Sequence, residues 1–343
     1  MKAAQIVAPR KIELVDIEEP ELPKDQPGML KVRVERACLC GSDSPWFAYD
    51  HRASANSIPT RWSDLDDSSP VYPLAPGMAI HECLGTVVSS TSKKYKEGDL
   101  VLAMPPGQAG LCHYFCFSDT QAVSLPRDVV PLEEILMTQP LGTVIWACKK
   151  LGNLLDLDTV VVGSGPMGLL TTHLLSNLGA KAVIALDKLD YRLAAARQMQ
   201  ATHTVNVSKH DPVEAVEKIS DGKMADVVFE AVGHQDYDLE SCMKLVRSQG
   251  TLLAFGMPDR TVYDGFPIWD FLTRDLTVIG SEGPDPVPNY SLARDMIAQG
   301  RINVAPLISH VLPFQEIQKA FDLFVDRKDK AIKVVLNYDS LNE

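Results

Sequence analysis

The sequence lacks any long apolar run: no window approaches the ~18–20 consecutive apolar residues that cross a bilayer. It also lacks internal repeats and low-complexity stretches, which argues against repeat architectures. Basic residues are in deficit: Lys and Arg total 33 against 45 Asp and Glu, a formal net charge of −12. Nucleic acid and anionic membrane surfaces both demand clustered Lys and Arg, so neither is expected as a partner. Cysteines are few, seven in 343 residues, and they are scattered and odd in number. That usage suits thiols in a reducing compartment better than a disulfide framework. The opening stretch MKAAQIVAPRKIELVD does not carry the charged, apolar and small-residue order of a secretory signal. A soluble, cytoplasmic protein is the expectation.

What is present is ample apolar material, 45% of 343 residues, enough for two domains that each bury a core. Up to about residue 145 the chain reads as short β segments punctuated by Gly and Pro, such as Lys2–Val7, Met29–Ala37, Gly85–Ser89, Leu100–Ala103 and Ala122–Leu125. The pattern changes near Pro140. A helix is expected over Leu141–Leu151, and then strands and helices alternate. The strands are Thr159–Val162, Ala182–Leu186, Thr204–Asn206, Ala225–Glu230, Thr251–Phe255 and Leu276–Ile279, with helices over Gly165–Leu178 and Leu189–Met199. Apolar strands alternating with helices predict a parallel, doubly wound α/β sheet. After the Pro-rich turn GPDPVP come helices over Ser291–Gln299 and Phe314–Val325 and a strand over Ile332–Asn337. That tail is too short to stand alone and is expected to return to the first domain. The expected organisation is a β-rich domain over 1–140, a nucleotide domain over 141–282, and a return to the first domain over 283–343.

The strand TVVVG runs into Gly163-Ser164-Gly165-Pro166-Met167-Gly168 and then into a long helix. A lone GxGxxG is weak, but this strand-to-helix context is the one that gives it meaning. Gly163 allows the tight turn, Gly165 lets the backbone approach a pyrophosphate, and Gly168 permits close packing of helix on strand. The helix start offers unpaired N–H groups and a partial positive charge to phosphates. Asp187 ends the next strand, where a carboxylate can accept from both ribose hydroxyls and repel a 2′-phosphate, favouring NAD over NADP. Lys188 and Arg192 lie close by and favour the phosphate. Asp187 as a simple helix N-cap stays open.

In the first domain two segments stand out, Ala37-Cys38-Leu39-Cys40-Gly41-Ser42-Asp43 and Ile80-His81-Glu82-Cys83-Leu84-Gly85. A thiolate, an imidazole and a carboxylate are a plausible open zinc set with one exchangeable position. Taken singly, a buried Cys is core filler more often, and a His is more often a satisfied surface or core residue.

Cys-Gly-Ser-Asp, then His-Glu with a Gly beyond, then the GxGxxG domain, in this order, resembles the zinc-dependent medium-chain alcohol and sorbitol dehydrogenases over nearly the whole chain. The resemblance implies a GroES-like catalytic domain joined to a Rossmann domain, with NAD and Zn²⁺ as cofactors. It implies Cys40 and His81 as zinc ligands, and Glu82 as the acidic residue beside the zinc that is itself a ligand in sorbitol-dehydrogenase-like members. Ser42 matches the hydroxyl that receives the substrate proton, and Asp43 the carboxylate that orients the ligating histidine. Cys40, Ser42, His81 and Glu82 are thus the candidate catalytic set. Asp187 and Arg192 match the ribose contacts, and stretches holding Val232, Phe255, Met257 and Ile279 match those flanking the nicotinamide. Pairing of nucleotide-domain sheet edges, around Thr251–Phe255 and Leu276–Ile279, is implied, giving a homodimer or homotetramer.

Three departures from the family pattern bear on the site. Where a Glu-Pro pair is usual, Gln139-Pro140 stands, and a neutral amide is a poorer zinc ligand than a carboxylate. The four-cysteine lobe that holds a structural zinc is missing; in AMPPGQAGLCHYFCFSD only Cys112 and Cys116 with His113 remain. Cys112, Tyr114 and Cys116 are expected on one face of a β segment, packed in the core. Pro45 stands where a proton-relaying His is common, with His51 nearby as a substitute or as an ordinary loop residue. The segment from Trp46 to Pro76 is longer than expected between the two motifs. It either shapes a pocket for a larger substrate or forms an oligomer contact. The function these features imply is hydride transfer between NAD and a secondary alcohol, polyol or ketone. The rivals are a zinc-free quinone or enoyl reductase of the same fold, a zinc enzyme doing a different carbonyl reaction, and a non-catalytic nucleotide-binding protein.

Overall fold

The computed structural model describes residues 1–48, 72–233, 239–258, 265–283 and 286–341. The chain forms two compact units: Met1–Gln139 with Asp285–Arg301 and Ile308–Glu343, and Pro140–Pro284 with Ile302–Leu307. No helix among the described residues is long and apolar enough to cross a membrane.

The first unit is built on a seven-stranded sheet. Its spine is the strand Met29–Cys38, whose alternating Leu30, Val32 and Val34 are fully buried. One neighbour is Glu82–Ser90, in a register that sets Cys38 opposite Glu82. The strand Lys333–Asn337 pairs beside the same end, Val335 opposite Cys38. Ile308–Pro313 lies outside it in parallel, while Leu100–Ala103 and Ala122–Ser124 continue the sheet on the far side. Tyr114–Ser118 pairs with Met29–Cys38 off this path. The tail thus returns to the first unit by hydrogen bonding its final strand into the sheet. Two contacts fasten it: Arg36 Nη1 lies 2.9 Å from Asp339 Oδ1, and the buried Tyr338 hydroxyl donates to Gly110 O at 2.8 Å.

Several elements differ from expectation. The hairpin partner Lys11–Asp16 and the strand Ile308–Pro313 are additional; both are short and half exposed, so their apolar signal is diluted. Phe314–Val325 divides into a 3₁₀ turn, Phe314–Glu316, and a helix, Ile317–Val325, that buries Ile317, Ala320 and Phe321. The strand Tyr114–Ser118 turns Phe115 and Phe117 into the core. Cys112 is buried, as expected, but Cys116 lies on the outward face with Tyr114, because the period-2 alternation gives the core to the bulkier phenylalanines. None of the seven cysteines is in a disulfide. His51 and most of the long segment after Trp46 lie outside the described residues.

The second unit is a six-stranded, wholly parallel sheet. Its order is His203–Asn206, Ala182–Asp187, Asp158–Val162, Ala225–Glu230, Val246–Ala254, Thr277–Gly280. Counted along this unit, that is 3-2-1-4-5-6, the order of dinucleotide-binding folds. The order reverses between Asp158–Val162 and Ala225–Glu230, so their carboxyl ends open the crevice where ligands of such sheets bind. Ala182–Asp187 is buried along its whole length, as a strand covered by helices on both faces requires. Strand Val246–Ala254 starts earlier than expected, through an irregularity around Gln249, which has φ +62°. It is an interior strand. Thr251–Phe255 therefore does not offer a free edge, and Thr277–Gly280 is the edge on that side.

Candidate active site

The ligand atoms of Cys40, His81 and Glu82, all in the first unit, lie within 4.8 Å of one another. Local geometry brings them there. Cys40 caps a 3₁₀ turn, Gly41–Asp43: its N–H donates to Asp43 Oδ2 at 2.7 Å, and Asp43 N–H donates to Cys40 O at 3.0 Å. Asp43 is thereby locked, and its Oδ1 faces His81 Nδ1 at 3.6 Å. That leaves the other ring nitrogen of His81 for a metal, the arrangement that fixes a ligating imidazole. Glu82 opens the strand beside Cys38.

Glu82 is the most constrained member. It is 1% exposed, and its Oε2 lies 2.7 Å from Lys333 Nζ, also 1% exposed. The Cys38 thiol donates to the same oxygen at 2.8 Å. Burial alone would raise the Glu82 carboxyl, but Lys333 and then His81 pull it below its ordinary range, so it is charged. Burial and Glu82 together push Cys38 up, so it stays a thiol. Glu82 Oε1, fully buried, has no hydrogen-bond partner among the described residues, and neither does Ser42 Oγ. A buried carboxylate oxygen without a partner is costly unless something else satisfies it. A zinc ion does so, and soft thiolate, imidazole and one carboxylate oxygen match its donor preferences. The residues fit the metal.

Desolvation alone would lower His81, but Asp43 and Cys40 beside it hold it well above the ordinary imidazole range. Gln139 donates from Nε2 to the Tyr290 hydroxyl at 3.3 Å, both buried, so its amide is engaged on the helix Pro286–Ala298. The motifs do not single out Lys333 or Cys38. The available signal is a lysine inside the apolar run AIKVVL, a charge in a strand otherwise fit for burial.

In the second unit Gly163 adopts φ +91°, which only glycine takes readily, and its N–H donates to Leu186 O at 2.9 Å. A Cβ on Gly168 would collide with the Gly163 carbonyl, so helix and turn meet there without room for a side chain. Gly165 caps the helix Pro166–Asn177, with Pro166 in its first turn and Met167 following. Both Asp187 oxygens take backbone amides: Oδ2 from Ser164 at 2.8 Å and Oδ1 from Leu189 at 2.8 Å. Asp187 thus ties the phosphate-type turn to the start of the next helix, and each oxygen keeps a second lone pair for a ligand. Arg192 Nη1 lies 3.8 Å from Asp187 Oδ2, and its buried Nε has no partner among the described residues. Lys188 is exposed. Val232 abuts Gly163, and Phe255 stacks near Phe229 with ring centroids 5.1 Å apart. Ile279 lies in the edge strand opposite Leu253, and Met257 is exposed at the carboxyl ends of the strands.

Fold and sites together define a dinucleotide-binding α/β unit paired in one chain with a β-rich unit carrying a metal-capable Cys-His-Glu cluster. Residues 166–299 match the family described as zinc-binding dehydrogenase. The chain is 28% identical to sorbitol dehydrogenase 2 of Saccharomyces cerevisiae, across 94% of each chain. It is 26% identical to L-threonine 3-dehydrogenase of Bacillus velezensis, across 93% of this chain and 94% of the relative. The solved structure of galactitol-1-phosphate dehydrogenase from Escherichia coli superposes with a TM-score of 0.81 at 20% identity, over 98% of this chain and all of that one (100%), a likeness of fold. Residues 166–299 thus resemble a zinc-binding dehydrogenase domain, and nearly the whole chain is similar to sorbitol and L-threonine dehydrogenases.

Proposed function

We propose that the protein interconverts a secondary alcohol or polyol and its ketone, with zinc held by Cys40, His81 and Glu82 and NAD seated at the Gly163–Gly168 turn. The observation that carries this reading is the donor cluster itself: one ligand atom each from Cys40, His81 and Glu82 within 4.8 Å, on a Glu82 whose buried Oε1 has no partner among the described residues. When bound, zinc supplies the Lewis acidity that lowers an alcohol's pKa, and NAD supplies the hydride acceptor. The remaining work belongs to the chain. Ser42 Oγ, buried and without a partner, takes the substrate hydroxyl's proton. Asp43 keeps His81 in one orientation, while Lys333 and Cys38 hold Oε2 so that Oε1 is the donor. Asp187 accepts from the adenine ribose, favouring NAD over a 2′-phosphorylated cofactor.

The names of the two relatives support a small hydroxyl-bearing substrate. Seven cysteines without a disulfide suit a cytoplasmic setting. Self-association completes the reading. The edge strand Thr277–Gly280 borders the helix Ile268–Thr273, which exposes Ile268, Leu272 and Trp269, the last by 75%. An unpaired edge beside an apolar helix is the kind of surface that a second copy covers in a dimer or tetramer. Sedimentation of the wild type and of Trp269→Glu tests this: an unchanged monomer in both removes it.

The deciding experiment is elemental analysis of the purified protein before and after chelation, with NADH formation followed on a panel of polyols and sugars. About one zinc per chain, lost together with activity, is the expected result. No zinc and no NAD reduction would overturn the reading in favour of the zinc-free reductase, with Gln139 marking a dismantled site.

A further inference from the structure

Glu230 ends the strand Ala225–Glu230 at the point where the sheet order reverses. It is 1% exposed and, among the described residues, pairs with no cation. Its carboxylate instead collects backbone amides from two different turns. Oε1 accepts from Val232 at 2.7 Å and from Gly233 at 2.9 Å, in the turn after its own strand. Oε2 accepts from Gly256 at 2.9 Å, in the turn after the neighbouring strand Val246–Ala254. The Glu230 carbonyl adds bonds from Phe255 at 3.1 Å and Gly256 at 3.0 Å. The two turns are pressed together at glycines. A Cβ on Gly233 would lie 2.6 Å from Met257 N, and one on Gly256 would lie 2.6 Å from Glu230 Oε2 and run into Gly233 N. Gly233 itself has φ +66°.

A buried charge balanced only by amides is an expensive way to hold two loops, since an apolar side chain avoids the desolvation. Its distinctive product is geometry: three N–H vectors are fixed on one rigid planar group, and the turns 231–233 and 255–257 cannot move independently. We propose that Glu230 is a positioning residue that locks these two turns into the single surface receiving the nicotinamide half of the dinucleotide, without contributing to the adenine half. This rests on the nucleotide-site reading above. The adenine half is served by other groups: the Gly163–Gly168 turn, which follows the strand Asp158–Val162 and touches Val232 only at Gly163, and Asp187, on the far side of that strand.

The test compares NADH with ADP-ribose, which carries the adenine half and pyrophosphate without the nicotinamide. In Glu230→Gln the carboxamide keeps one acceptor oxygen, but its NH₂ must face an amide N–H, so one turn is released. The Kd for NADH is expected to rise by about tenfold or more, the loss that a charge-assisted hydrogen bond carries, while the Kd for ADP-ribose stays within about twofold. Retained ADP-ribose binding also reports that the variant is folded. Equal Kd values for NADH in variant and wild type overturn the proposal, as does equal weakening of both ligands. A wild type that binds neither ligand removes the nucleotide reading itself. If the variant does not fold, hydrogen exchange on the wild type decides. The Val232, Gly233 and Gly256 amides are expected to be protected in the free protein and to gain protection with NADH but not with ADP-ribose; free exchange at these three amides overturns the clamp.

Discussion

Lys333 Nζ lies 2.7 Å from Glu82 Oε2, joining the start of one strand to the start of another inside the first unit, with both side chains cut off from water. Burial would lower the Lys333 ammonium, but the Glu82 carboxylate against it holds it above its ordinary value, so the pair is ionised. Removing one partner of such a pair strands the other as a buried charge, at a cost of about 3–5 kcal/mol. Lys333→Met is therefore expected to lower the free energy of unfolding by that order, seen as a lower urea midpoint. It also frees Glu82 to ligate through either oxygen, so the visible spectrum of the Co²⁺-substituted protein should change. An unchanged midpoint and spectrum would show that the pair does not hold Glu82.

The raised His81 makes metal loading pH-dependent with a definite sign. In the metal-free protein, protonated His81 contributes stability that is fully present below the unfolded imidazole value, about 6.5, and is lost as pH rises through the raised folded value. Zinc requires the neutral ring, so binding expels that proton and affinity climbs over the same interval. Calorimetry in buffers of different ionisation enthalpy should detect proton release on zinc binding near neutrality. Zinc binding with no proton release would contradict the Asp43–His81–Cys40 arrangement.

Ser42→Ala removes a hydroxyl that no other described group engages. Zinc content and NADH affinity should be unchanged, and turnover should fall by about a hundredfold, the lower end of what a positioned proton acceptor contributes. Turnover equal to wild type would take Ser42 out of the proton path.

Asp187→Asn separates two roles. The amide oxygen keeps one backbone partner and the NH₂ repels the other, so the Ser164 or Leu189 amide is released. If Asp187 also reads the ribose, NADH should weaken by about tenfold while NADPH weakens less or improves. Equal weakening of both cofactors assigns Asp187 to holding the two turns alone.

These residues also show what a sequence can and cannot carry. Gly163, Gly165 and Gly168 were legible because their constraints are local: a tight turn, an amide-rich helix start and a close packing contact lie within six residues. The alternation of strands and helices that follows fixes a parallel sheet for the same reason. Cys40, His81 and Glu82 emerged only through the order of motifs along the chain, because their meeting depends on pairing Met29–Cys38 with Glu82–Ser90. Lys333 and Glu230 stayed invisible. A charged residue at a strand end reads as surface by composition, and only the register shows that one faces Glu82 and the other collects amides from two turns. Cys116 failed in the opposite way: its spacing from Cys112 was right for one face of a strand, but the adjacent phenylalanines took the core face.

The placement of Lys333 also orders events on the ribosome. Every residue of the dinucleotide-binding unit is made before position 333, whereas Glu82 waits for its counter-charge until Lys333 has emerged. A nascent chain can thus hold a complete nucleotide fold while the Glu82 carboxylate is still uncompensated, and settling of that cluster follows the folding of the second unit.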